Sequence, residues 1–211
     1  MKLPSNRFIK VLARKIIQPF DFLLRFINWI VMGWSPPVAP QVKRSVLQRY
    51  GSSASTWVET GTYLGQTTKF LARKSTLVWS IEPEPLLAKA ATRKFRKNAR
   101  VKIIQGTSEE ILPALLPQLV GNVAFWLDGH YSEGVTFCGE IETPIAVELQ
   151  LIKDCLHQFE SVVILVDDFR CFEAKKSDVG PYPSRSFLVE WADSSGLSWT
   201  VEHDIFIAWK K

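Results

Sequence analysis

The sequence predicts an α/β fold: a doubly wound, mostly parallel seven-stranded sheet that ends in an antiparallel hairpin and carries a helical appendage at its N-terminus. Three observations predict it. From residue 41 onward the hydrophobic pattern alternates between strand-like and helix-like periods. Val162-Val163-Ile164-Leu165-Val166 is apolar at every position, as a parallel strand covered by helices on both faces requires. Leu197 to Val201 and Ile205 to Trp209 read as two strands joined only by Glu202-His203-Asp204, too short for a parallel crossover, so they pair antiparallel.

Taken in order, residues 8 to 34 are rich in apolar and aromatic side chains, but Lys10, Arg14, Lys15, Asp21 and Arg25 interrupt every stretch long enough to span a bilayer. No small-residue cleavage site follows, so neither a membrane-spanning helix nor a secretory signal is expected. The segment reads as two amphipathic helices separated by Pro19, the second packing Phe20, Leu23, Leu24, Ile27, Trp29, Ile30 and Val31 into little more than three turns. Pro36-Pro37-Val38-Ala39-Pro40 closes it as a stiff linker over 35–40. The domain then spans 41–211. Residues 41 to 51 form a helix closed by Gly51, and Thr56-Trp57-Val58 is the first strand, leading into Glu59. A helix over 65–74 precedes strand Leu77 to Ile81, helix 84–97 precedes strand Val101 to Gln105, and helix 109–119 precedes strand Val123 to Leu127. Helix 143–159 leads to the apolar strand at Val162, and Arg170 to Ser186 is a long irregular loop above the strand ends, where acceptor pockets often form.

At 211 residues the chain has room for one domain with a sizeable core. Its formal net charge of +5 equals the surplus of the first 34 residues, where six lysines and arginines face Asp21 alone. Residues 35 to 211 balance, which argues against a nucleic-acid-binding domain with its positive stripe on the folded body. The basic, aromatic segment 1–34 suits an anionic membrane surface, and equally suits packing on the domain or on a second subunit of a homo-oligomer. Three cysteines without a C-x-x-C spacing indicate neither a disulfide framework nor a cysteine zinc site. A cytoplasmic protein, peripheral at the inner membrane face if the segment docks there, is expected.

Ligands of doubly wound sheets bind at the carboxyl ends of the strands. The first strand ends in Glu59-Thr60-Gly61-Thr62-Tyr63-Leu64-Gly65-Gln66-Thr67, an acidic residue followed by G-x-x-x-G at a strand-to-helix turn. The second ends in Ser80-Ile81-Glu82-Pro83, placing a carboxylate where dinucleotide folds hold both ribose hydroxyls. The middle glycine of a diphosphate-binding loop is missing, so a nucleoside without phosphates fits better, and S-adenosylmethionine is such a ligand. These two motifs resemble motifs I and II of class I S-adenosylmethionine-dependent methyltransferases, whose Rossmann-like sheet ends in the same hairpin. The resemblance covers residues 40 to 211. It implies that Glu59, Gly61 and Gly65 surround the methionine part, with Thr62 also a cofactor-binding residue, that Glu82 holds the ribose, and that Gly106-Thr107-Ser108 lies where the family contacts adenine, although the family often has an acidic residue there.

The fourth strand ends in Asp128-Gly129-His130 and the fifth in Asp167-Asp168. Three carboxylates at adjacent strand ends repel one another unless a cation compensates them, and a divalent ion such as Mg²⁺ is the obvious candidate. The pair resembles the D-x-D and D-D signatures of metal-dependent sugar O-methyltransferases of the macrocin type. By that resemblance Asp128, Asp167 and Asp168 are metal ligands, with Asp128 also a catalytic residue beside the cofactor. His130 stands where a second aspartate often lies, so a ligand and a catalytic base are both open to it. The expected reaction is methyl transfer to the hydroxyl of a sugar, glycolipid or small phenol, with metal and imidazole helping to remove the proton. A membrane-docked binding protein, and an oxygenase or hydrolase on the same sheet, are the competing functions.

Overall fold

The computed structural model describes residues 23–128, 144–172 and 182–210. Seven strands, β1 (Thr56–Thr60), β2 (Leu77–Glu82), β3 (Val101–Gln105), β4 (Gly121–Leu127), β5 (Phe159–Val166), β6 (Ser198–Glu202) and β7 (Ile205–Lys210), form one sheet in the order β3-β2-β1-β4-β5-β7-β6. The first five are mutually parallel, while β7 runs antiparallel to both β5 and β6. The hairpin turn is His203-Asp204, both with positive φ, the geometry that lets a two-residue turn follow the sheet's twist.

Helices α2 (Pro40–Tyr50), α3 (Gln66–Leu71), α4 (Pro85–Phe95), α5 (Ser108–Leu115), α6 (Ile145–Cys155) and α7 (Arg185–Ser194) cover the sheet, and α1 (residues 23–31) packs at the start of α2. Alternate strand residues feed two cores. Val58, Phe125 and Ile164 pack with α5, α6 and α7 on one face, while Trp57, Trp126 and Leu165 pack with α2, α3 and α4 on the other. Strands β1 and β5 are longer than their apolar runs suggest, because backbone pairing takes in Glu59 and Thr60 at one end and Phe159 to Ser161 at the other.

Two segments differ from the sequence reading. Helix α7 was not expected: Ser184 caps it by accepting from the Phe187 amide, and Leu188, Trp191 and Ala192 bury its inner face. The proline-rich stretch 35–40 is not a bare spacer, since Val38 and Ala39 are buried against Trp29 of α1, with Phe26 and Val42 alongside. The first of the two expected N-terminal helices lies outside the described residues. Among those residues no helix is long and apolar enough to cross a membrane.

Candidate active site

Parallel register brings the carboxyl ends of β1, β2, β4 and β5 to one edge, and the residues just beyond them build the site. The chain leaves β1 through Gly61, whose φ of +86° is open to glycine and strained for other residues, while the Gly61 and Thr62 amides both donate to the Ile81 carbonyl. Gly65 starts α3 in the left-handed region at φ +64°. A Cβ there would lie 2.7 Å from the Phe95 ring of α4, so the glycine is required by helix packing as well as by the turn.

Beneath this turn lies a chain of buried polar groups. Glu59 Oε2 accepts from the hydroxyls of Thr68 and Ser80, both at 2.6 Å, and the Thr62 hydroxyl lies 2.6 Å from that of Ser80. Burial pushes the Glu59 carboxyl up to about 7 in spite of these bonds. Glu82 caps the neighbouring strand end. Its Oε2 accepts from the Tyr63 amide at 2.6 Å and its Oε1 from the Glu84 amide at 3.0 Å, and burial raises its pKa against the pull of both amides. Thr107 opens α5 in a capping box with Glu110, and the Ser108 hydroxyl donates to Glu109.

At the ends of β4 and β5, Asp128, Asp167 and Asp168 bring carboxylate oxygens within 4.8 Å of one another. The cation that meets them in the structure is a lysine. Lys43 of α2 places its Nζ 2.5 Å from Asp167 Oδ2 and 3.2 Å from Asp168 Oδ1. Burial opposes its charge, but the attraction of Asp167, Asp168 and Asp128 outweighs that and raises its pKa. Burial likewise raises the Asp167 carboxyl, with Lys43 opposing. Arg170 adds a second cation, donating to Asp168 Oδ1 at 2.7 Å and pairing with Asp204 of the hairpin turn. Asp168 itself sits at φ +53°, a conformation that Asp tolerates better than most residues.

A cavity of about 470 Å³, within the range of small-molecule sites, opens between α2 and these strand ends. Gly61, Thr62, Lys43 and the three aspartates line it, together with Arg25 and Trp126. Among the described residues the buried Trp126 indole N–H has no hydrogen-bond partner, a donor that a ligand oxygen would satisfy. Glu59, Gly65, Glu82, Thr107 and Ser108 are not part of this wall. Glu59 and the Thr62 hydroxyl bond to Ser80 beneath the turn, and Glu82 at the end of β2 accepts the Tyr63 amide of the turn. His130 lies outside the described residues. Lys43 and Arg170 were missed in the sequence, though Lys43 left a signal: it stands three and four residues before the buried Val46 and Leu47, on the inward face of its helix.

No protein-family model matches the sequence, and no curated protein is significantly similar to it. Solved structures do match the fold. A protein of Clostridium thermocellum put forward as an rRNA methylase superposes with a TM-score of 0.52 at 13% identity, covering 79% of this chain and 93% of that one. Fibrillarin from Aeropyrum pernix, solved with natively bound S-adenosyl-L-methionine, gives 0.50 at 10% identity, covering 80% of this chain and 73% of its own. The fold is that of class I S-adenosylmethionine-dependent methyltransferases. In that fold the chain keeps the strand order and the terminal antiparallel hairpin, and α2 is the helix that precedes the first strand.

Proposed function

We propose that the chain transfers a methyl group from S-adenosylmethionine to a hydroxyl oxygen. The observation that carries this reading is the sharing of one cavity by the Gly61 turn and the carboxylates of Asp128, Asp167 and Asp168. The residues suit the cofactor. Each Glu82 oxygen accepts one amide hydrogen and keeps a lone pair for one ribose hydroxyl. The positive φ of Gly61 lets backbone approach closely, and the Trp126 N–H, without a partner among the described residues, offers a donor to a carboxylate or hydroxyl. When bound, S-adenosylmethionine supplies an electrophilic methyl on a cationic sulfur, leaving as a neutral thioether.

The chain's own groups then align the acceptor and take its proton. Asp128 faces the cavity beside the turn and accepts that proton. Lys43 fixes Asp167 and Asp168 and keeps their charges from repelling the arrangement apart. The donor set of three carboxylates also suits a divalent ion, which would lower the pKa of the acceptor hydroxyl, with Lys43 withdrawn from the cluster. A sugar, glycolipid or small phenol fits this chemistry.

Calorimetry of S-adenosylmethionine binding to the full chain tests the reading. Wild type should bind, and Glu82→Ala should bind on the order of tenfold to hundredfold more weakly, since two bonds to a charged group are lost with partial compensation. Absence of binding to wild type would remove the methyl-transfer reading and favour an oxygenase, a hydrolase or a binding protein on the same sheet. Unchanged affinity in Glu82→Ala would remove only the ribose assignment.

A further inference from the structure

Helix α1 has two apolar faces, and among the described residues only one is packed on the domain. At about 3.6 residues per turn, Arg25, Phe26 and Trp29 fall on one side and Leu23, Leu24, Ile27, Ile30 and Val31 on the other. Trp29 is 5% exposed, packed on Val38, Ala39 and the His203 ring, and Arg25 lines the cavity. The opposite stripe is bare: Leu23, Leu24, Ile27, Ile30 and Val31 are each exposed, and Trp34 beyond the helix is 59% exposed. A contiguous apolar stripe of this kind on a folded surface marks an interaction site.

Charge identifies the occupant. The even balance of residues 35 to 211 hides two opposite halves. Residues 66 to 102 carry ten lysines and arginines against Glu82 and Glu84, whereas residues 103 to 211 carry seven against seventeen acidic residues. All ten of those cations are exposed, on and around α3, α4 and the edge strand β3. Helices α3 and α4 belong to the layer that includes α2, on which α1 is seated. The sequence before α1 adds Lys2, Arg7, Lys10, Arg14 and Lys15, with Asp21 as its one acid. A nucleic acid would engage the cations but has no use for an outward stripe of Leu, Ile and Val. A second copy of this chain, or a fold-back of residues 1–22, would cover the stripe but give the ten cations of α3, α4 and β3 no anionic partner.

We propose that this side of the molecule docks on an anionic bilayer surface, with the outer face of α1 lying among the headgroups and the cations of α3 and α4 meeting anionic lipid. Docking there would place the Arg25 wall of the cavity next to the membrane. The proposal does not depend on the methyl-transfer reading.

The test is co-sedimentation of the full chain with vesicles of phosphatidylcholine alone and of equal parts phosphatidylcholine and phosphatidylglycerol, alongside sedimentation velocity and a single-stranded RNA control. Wild type should partition to the anionic vesicles, and less so as salt rises. Leu24→Glu/Ile27→Glu/Val31→Glu and, separately, Arg93→Glu/Arg96→Glu/Lys97→Glu should each lower partitioning on the order of a hundredfold. Both variants alter exposed side chains outside the cavity wall, so thermal melts and S-adenosylmethionine titrations should stay as in wild type. Three results overturn the proposal: a dimer dissociated by the α1 variant, binding to RNA but not vesicles, or a melting temperature lowered by the α1 variant with no vesicle binding, which is the mark of an intramolecular cover.

Discussion

Replacing Lys43 by methionine keeps the aliphatic stem and removes the ammonium, so it isolates the charge that holds the acidic cluster. Asp167 has a side chain only 3% exposed and Lys43 one that is 19% exposed. Breaking a buried pair by deleting one partner costs about 3–5 kcal/mol. That figure shrinks here because Lys43 is not fully buried, because Asp167 keeps the Asp168 amide on Oδ1 at 2.8 Å, and because Arg170 still serves Asp168. About 2–3 kcal/mol remains, or a fall of roughly 5–10 °C in melting temperature for a domain of this size. The sign with pH follows from the raised Asp167 carboxyl: without Lys43 it rises further. The penalty is then absent at low pH, where folded and unfolded states are both protonated, and grows as pH climbs through the folded value. The assay is a set of thermal melts from pH 5 to 8, with chelator or with millimolar Mg²⁺. The variant should be most destabilised in chelator at high pH and should regain stability with Mg²⁺, while wild type responds less because the ammonium competes for the same oxygens. A variant that melts within about a degree of wild type in chelator at every pH would refute Lys43 as the compensating cation. Strong Mg²⁺ stabilisation of wild type, equal to that of the variant, would restore the ion to that role.

Glu59→Gln removes a carboxyl whose folded pKa is raised from 4.5 to about 7, so wild type loses stability as pH rises through that interval and the variant does not. Urea melts should show the variant gaining on wild type by about 2.5 kcal/mol between pH 5 and pH 8, and a flat difference would contradict the burial argument. Gly65→Ala puts a Cβ against the Phe95 ring at a left-handed position and should cost about 2–3 kcal/mol in the same assay, whereas a neutral result would mean that the turn relaxes freely. Trp29→Ala should raise amide hydrogen exchange across residues 23–31 while moving the global melting temperature by only a few degrees. A large cooperative loss instead would make α1 part of the core.

The architecture was legible because its signals are local and periodic. Val162 to Val166 announced a doubly covered strand, and three residues between Val201 and Ile205 forced an antiparallel hairpin. Helix α7 escaped because its inward Leu188, Trp191 and Ala192 are interspersed with Glu190 and Asp193 and follow a Gly-Pro-Tyr-Pro stretch that reads as loop. The three aspartates were visible as strand-end residues, and their convergence follows from the parallel register of β4 and β5. Their partner was not visible in the same way. Lys43 is 124 residues from Asp167, and only the seating of α2 on the sheet brings the two together. The charge imbalance between residues 66–102 and 103–211 was also present in the sequence, but a sum over the whole domain cancels it.

The N-terminal appendage and the acidic cluster are fastened by one closed circuit of contacts. Trp29 of α1 packs on Val42's helix and on the His203 ring. Asp204, next to His203, holds both the side chain and the backbone amide of Arg170 and accepts the Phe169 amide at its carbonyl. Arg170 grips Asp168, Asp168 and Asp167 grip Lys43, and Lys43 stands beside Val42 on α2. The links are ion pairs, hydrogen bonds, a ring contact and the apolar packing of Trp29 beside Val42, and together they set where α1 sits relative to the strand ends. A divalent ion in the cluster would break this circuit at Lys43, since one ammonium and one metal compete for the same oxygens. Filling the cluster with metal and keeping α2 seated by its lysine are therefore alternatives in this chain, and an occupant of the cavity that displaces Lys43 acts on the helix that carries α1.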